Sequence, residues 1–378
     1  MNNTYSLGVR LFVFLMLAAC GGEPAPAQTI KFLTTFNPRE TELFNSTIAE
    51  RGLHVDASLV PFARGHQVIT ELLRGGKDCP DLIRIDATWL PGLVAAKLLL
   101  PPPAELQTAA WSAIAKEMTI AEDAPWAVPQ SIDGLVVVRL ASTPAPAGPS
   151  VPELTQAASK VGIAHPLGVR VDGYWVVPWL REFGVELAPA EIASAGAVNA
   201  LREFAGLFDK SGGLAAAPPS AGSEAPDELR RWNAHEIAYW VTGPWQLADL
   251  RDRDQIEVSA LAHAPRGGQL LVVPTCAQQP AEGWRLAKEL TSEQVSLIFS
   301  DAFATIPTLD AAQNHATMLV QHTLAALASA ERLPRTQVTP LLFDDLNPAV
   351  AAVVNGDATP EEAIAGVRRG WHRLETSK

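Results

Sequence analysis

The first hundred residues alternate short apolar runs with stretches of helical spacing three times in succession, and few folds accommodate that order. IKFLTTF (30–36) reads as a strand, and after Pro38 the residues Leu43, Phe44 and Ile48 recur at helical spacing. HVDASLVPF, from residue 54, alternates as a second strand and is followed by Val68, Ile69, Leu72 and Leu73 on a helix. CPDLIRIDATWLPGL (79–93) supplies a third strand, a loop and a helix; Thr88 is placed to cap that helix, and Pro91 fits its first turn. Strand–helix repetition of this kind predicts a mainly parallel sheet covered by helices on both faces.

Ligands of open α/β sheets collect beyond the carboxyl ends of the strands. Asn37 follows the first strand, Arg64 the second and Asp86 the third, with Trp89 three residues further on. Asp86 and Trp89 are therefore either ligand contacts, or a loop or cap carboxylate and the first core contact of its helix. Arg64 offers a forked pair of donors to adjacent hydroxyls or to a carboxylate.

WAVPQSIDGLVVVRL (126–140) reads as one further strand, and the Pro-rich segment STPAPAGPSVPEL after it marks the passage into a second domain. That domain holds DGYWVVPWLREFG, helices around residues 190–209 and a loop around 215–226. If DGYWVVPWL is a strand, Tyr174 and Trp175 point to opposite faces. From residue 267, GGQLLVVPTCAQQPAEGWRLAKELTSEQ returns to strand and then helix, with Trp284, Ala287 and Leu290 at helical spacing. DATPEEAIAGVRRGW carries its own helix start: Thr359 and Glu362 form a capping box, Pro360 opens the helix, and Trp371 shares a core face with Ile364 and Val367.

At 378 residues the chain exceeds one comfortable core, and about two domains are expected. Its formal charge of -12 and lack of a long basic run argue against nucleic acid as a partner. Arg10, the apolar stretch LFVFLMLAA and Cys20 form an N-terminal segment too short to span a bilayer comfortably. LMLAAC resembles the bacterial lipobox, in which the signal is removed ahead of a Cys that carries lipid. Residues 1–19 would then be the signal peptide, Cys20 the lipidated residue and 20–28 a Pro/Ala tether; the alternative is an ordinary secretory signal. A lipid anchor places the body outside the cytoplasm, where a disulfide between the remaining cysteines, Cys79 and Cys276, could persist.

In series, LMLAAC, PDLIRIDATWLPGLVAAKLLL, WAVPQSIDGLVVVRL, AYWVTGPWQLADL, GGQLLVVPTCAQQPAEGWRLAKELTSEQ, AFATIPTLDAA and NPAVAAVVNGDATPEEAI resemble the extracellular solute-binding proteins of ABC importers, specifically the maltose-binding-like group. The resemblance implies a two-lobed periplasmic-binding-protein fold (type II). One lobe would comprise residues 29–131 plus 272–314, the other 132–271 plus 315–378, with a carbohydrate held between them by hinge closure. It implies delivery of that carbohydrate to the transmembrane subunits of a permease by a monomer that needs no cofactor or metal.

For the site, the resemblance makes Trp245, which follows Gly243 and Pro244 at a helix start, the residue that stacks on the sugar. Asp172 with Tyr174 or Trp175 would face the ligand from the second lobe, and Trp89 from the first. Gln130 and Asp133 lie near the first crossover, where Asp133 either meets ligand or stabilises a hinge turn. The chain departs from the group's common pattern where Val138-Arg139 replaces a Tyr-Asn pair. The implied fold also sets the strand before Cys276 antiparallel to the strand after Cys79, which would bring the two cysteines together.

Catalytic motifs are absent from the sequence. The eight His are scattered, His315 and His322 lack an acidic partner in sequence, and there is no His-Glu-x-x-His helix, Cys-x-x-Cys pair, P-loop or Gly-x-Ser-x-Gly elbow. The reading is a non-enzymatic carbohydrate-binding lipoprotein; the alternatives are a secreted carbohydrate-active enzyme and a two-lobed sensory receptor.

Overall fold

A computed structural model describes residues 29–209, 211–216 and 227–376. Cys20, the expected signal and tether, and most of the loop expected at 215–226 lie outside the described residues. The opening alternation folds as read: β1 (Ile30–Thr34), α1 (Pro38–Glu50), β2 (Val55–Leu59), α2 (Phe62–Gly75) and β3 (Leu82–Asp86). β1 lies between β2 and β3 and runs parallel to both. Phe44, Ile48, Ile69 and Leu73 seal the helices against this sheet, all nearly inaccessible to water.

The stretch at 126–140 is two strands rather than one. Val128–Gly134, the crossing strand, belongs to the first sheet, whereas Val136–Leu140 belongs to a second sheet with Leu167–Gly168, Tyr239–Thr242 and Ile256–Ser259. Every residue from 128 to 139 except Asp133 is buried, so no alternation of burial marks the break. The chain re-enters the first sheet along Pro265–Pro274, the return strand, which pairs antiparallel with both β3 and the crossing strand. The second sheet pairs mostly antiparallel as well, its one parallel pair joining Tyr239–Thr242 to Leu167–Gly168. The sheets are thus mixed rather than mainly parallel, because the strands that cross between them run out and back.

Asp81, fully buried just before β3, accepts the Lys31 N–H at 3.0 Å and the Gln279 N–H at 2.8 Å. One carboxylate therefore ties β1 to the segment that follows the return strand, 198 residues away. The bonded sulfurs of Cys79 and Cys276 close the same corner, with α-carbons 5.8 Å apart. At the chain's end, Thr359 and Glu362 make the capping box at the start of Pro360–Thr376, and Trp371 is wholly buried with its indole N–H donating to the Leu342 carbonyl.

Contacts also cross between the two halves. Arg335 donates to the carbonyls of Glu117, Met118 and Ile120, and Arg39 on α1 pairs with Asp249 beyond the second sheet. Among the described residues, no helix is long and apolar enough to cross a membrane.

Candidate functional site

β3 ends on Asp86, and the chain then turns through a 3₁₀ turn, Ala87–Trp89. Asp86 caps this turn, accepting from the Thr88 N–H at 2.8 Å and from its hydroxyl at 2.5 Å. The cap is thus Asp86 rather than Thr88, because the carboxylate sits where the first free N–H groups point. Asp86 keeps a second oxygen for the return strand: Gln269 donates to Asp86 Oδ2 at 3.5 Å and to Asp133 Oδ2, on the crossing strand, at 3.3 Å.

Burial pushes the Asp133 carboxyl up to about 7, reinforced by the negative charge of Asp86 and opposed by the Gln269 amide and Arg84. Asp86 is also raised by burial, against the Thr88 bonds. Arg84 forms no ion pair with either acid within 4.0 Å; it donates to Gln130 at 2.6 Å and to Thr35 at 2.6 Å, and lies 4.8 Å above the Phe36 ring. An acid whose folded value lies above its unfolded one binds a proton in the folded state that the unfolded chain has already lost. Its contribution to stability is greatest at low pH and falls as pH rises from about 4 to about 7. Asp133→Asn should remove this slope, so the stability of the unliganded wild type minus that of the variant should decline across this window in denaturant melts. A constant difference would contradict it.

The second half of the site comes from DGYWVVPWLREFG, which is a helix, Gly173–Glu182, and not a strand. Asp172 caps it, accepting the Tyr174 N–H at 2.8 Å, and the helix is apolar on nearly every side because it is buried on nearly every side. Neighbours on a helix are only about 100° apart, so the two rings can serve one region. Tyr174 and Trp175 meet edge-on at 5.8 Å. Burial raises the Tyr174 hydroxyl well above its usual range, helped by Asp133, Asp86 and Asp172, and that hydroxyl donates to the Pro265 carbonyl at 3.3 Å. Burial likewise raises Asp172, against its bond from Tyr174 and the charge of Arg170.

Trp245 lies in the short helix Pro244–Leu247 and is 40% exposed, whereas Trp175, which meets it edge-on at 6.0 Å, is 8% exposed. Trp175 is the buttress: its indole N–H donates to the Val241 carbonyl at 2.9 Å, and Arg170 lies over its ring. Trp245 is the open platform. Glycine at 243 lets the Trp245 ring lie where it does, because a β-carbon there would stand 2.2 Å from that ring and displace it.

The structure therefore brings together Asp86, Asp133, Asp172, Tyr174, Trp175, Trp245 and Gly243, with Gln130 one hydrogen bond behind through Arg84. Other candidates are engaged elsewhere. Asn37 is spent on the capping box of α1, and Trp89 is 5% exposed, packed on Gly65 and Phe62 of α2. Arg64 is exposed in the first turn of α2 with no side-chain hydrogen bond or ion pair among the described residues. A depression of about 540 Å³ elsewhere, between the Ile120–Pro125 hairpin and residues 332–337, contains none of the expected site residues.

Three participants escaped the sequence reading. Gln269 and Arg84 are polar residues in otherwise apolar strands, and that interruption was the available signal. Phe343, whose ring lies 6.5 Å from Tyr174, sits in the helix Thr339–Asn355, where nothing local separates it from core. Among the described residues no three His, Cys, Asp or Glu side chains are grouped to hold a metal ion.

No protein-family model and no curated protein sequence matches the chain. Solved structures do match, among them maltose- and maltotriose-binding proteins and an ABC-transporter solute-binding protein. The GacH receptor of Streptomyces glaucescens, crystallised unliganded and with acarbose, is 23% identical, with a TM-score of 0.78 over 92% of this chain and 98% of its own. Maltose-bound MalE3 of T. maritima is 18% identical, with a TM-score of 0.79 over 92% of this chain and 99% of its own. The maltotriose-binding protein of Thermus thermophilus is 16% identical, with a TM-score of 0.77 over 91% and 99%. The fold is thus that of the two-lobed maltose-binding-type proteins.

Proposed function

We propose that the chain is a carbohydrate-capturing solute-binding protein of an ABC importer, not an enzyme, which closes its lobes on a sugar and hands it to the permease. One observation carries this reading: an open indole, Trp245, braced edge-on by the buried Trp175, whose neighbour Tyr174 lies among the half-buried carboxylates Asp86, Asp133 and Asp172. A sugar presents a C–H face and a rim of hydroxyls, which such a platform and such acceptors fit. The sugars bound by the structural neighbours support the same class.

In this reading the lobes divide near residues 131/132, 271/272 and 314/315, and the protein works as a monomer with Cys20 anchoring it by lipid outside the cytoplasm. Titration with a panel of mono- and oligosaccharides, with the sugar recovered afterwards, tests the proposal. One sugar should bind at one equivalent and return chemically unchanged; recovery of cleaved sugar would make the protein a carbohydrate-active enzyme instead, and no binding would remove the proposal.

A further inference from the structure

Asp86 and Asp133 share a single amide, that of Gln269, and the Arg84 guanidinium that opposes their charge stays beyond ion-pair distance of both. Neither carboxylate has an ion pair within 4.0 Å, and Asp133 receives no hydrogen bond other than the one from Gln269. Gln269 is 7% exposed, and while its Nε2 serves both acids its Oε1 is buried without a partner. Of the nearby donors, Tyr174 bonds the Pro265 carbonyl, and Arg84 bonds Gln130 through Nε and Thr35 through Nη1. Apart from Arg84 and the Gln269 amide, the elements around this point contribute mainly acceptors. β3 brings Asp86 and the engaged Arg84, the crossing strand Asp133, the return strand the orphan Gln269 oxygen, and the Gly173–Glu182 helix Asp172 and Tyr174.

Resting on the carbohydrate reading above, we propose that the ligand is an amino sugar whose protonated amine lies between Asp86 and Asp133. Hydroxyls alone would supply donors but would leave two adjacent negative charges buried against each other. An ammonium supplies three donors and one positive charge, which compensates the pair and reaches the free Gln269 oxygen. Asp86, Asp133, Asp172 and Tyr174 are half-buried rather than sealed.

Matched pairs of sugars test this: glucosamine against glucose, the glucosamine disaccharide against cellobiose, and an amine-bridged pseudo-tetrasaccharide against maltotetraose. Calorimetry at pH 7 on the full chain should find, for the backbone that fits, at least ten-fold tighter binding of the amine member. Asp133→Asn should weaken the amine member more than its neutral counterpart and so shrink that preference, and Asp86→Asn gives the same comparison if the first variant folds poorly. Equal or tighter binding of the neutral member would overturn the proposal. If that neutral binding were still lost in Trp245→Ala, the carbohydrate reading would stand without it. Failure of every pair to bind would overturn both.

Discussion

Trp245→Ala should weaken sugar binding by roughly 2 kcal/mol, about thirty-fold, without loss of fold. Trp245 is 40% exposed and rests on Trp175, which keeps its own hydrogen bond to the Val241 carbonyl when the platform is removed. The loss therefore falls on the ligand and not on the core. Titration calorimetry on both proteins, with thermal melts to compare their stability, measures this. An unchanged dissociation constant would remove Trp245 from the site.

Removing the Cys79–Cys276 bridge should lower stability more than any single surface change. The bond joins residues 197 apart in sequence, and chain entropy for so long a loop gives about 5 kcal/mol at most. For a chain of this size that upper figure corresponds to a fall of at most roughly 7 °C in melting midpoint. Scanning calorimetry of the Cys79→Ser, Cys276→Ser double variant against oxidised wild type reads the difference. Equal midpoints, or two free thiols in the unfolded, unreduced wild type, would contradict it. The Asp81 bonds to Lys31 and Gln279 hold the same corner, so the variant should remain folded at ambient temperature.

What the sequence made legible was whatever local periodicity encodes. The three strand–helix units, the capping box at Thr359 and Glu362 and the buried Trp371 all follow from residue spacing within one element. One element was misread and another left open because burial on all sides erases that spacing. The stretch 126–140 looks like one strand although it spans two sheets, and DGYWVVPWLREFG carries no polar face to betray its helix. The site was legible in part. Trp245 announces itself at a helix start, whereas Asp172 entered only through the resemblance, and Gln269 meets Asp86 across 183 residues and Asp133 across 136. Such convergence is a property of the fold. Asn37 and Trp89 illustrate the converse: position beyond a strand end is shared by ligand contacts, caps and packing residues, and only the surrounding atoms separate them.

The central claim is that one sugar site lies where Trp245 faces the Asp86, Asp133 and Asp172 carboxylates. A crystal structure of the chain with the tightest-binding sugar of the matched pairs tests it most directly. The account predicts a sugar ring flat on the Trp245 indole, with its donors directed at Asp133 and Asp86. A sugar bound elsewhere, such as in the depression lined by Glu117, Arg332 and Arg335, or one that leaves Trp245 untouched, would contradict it.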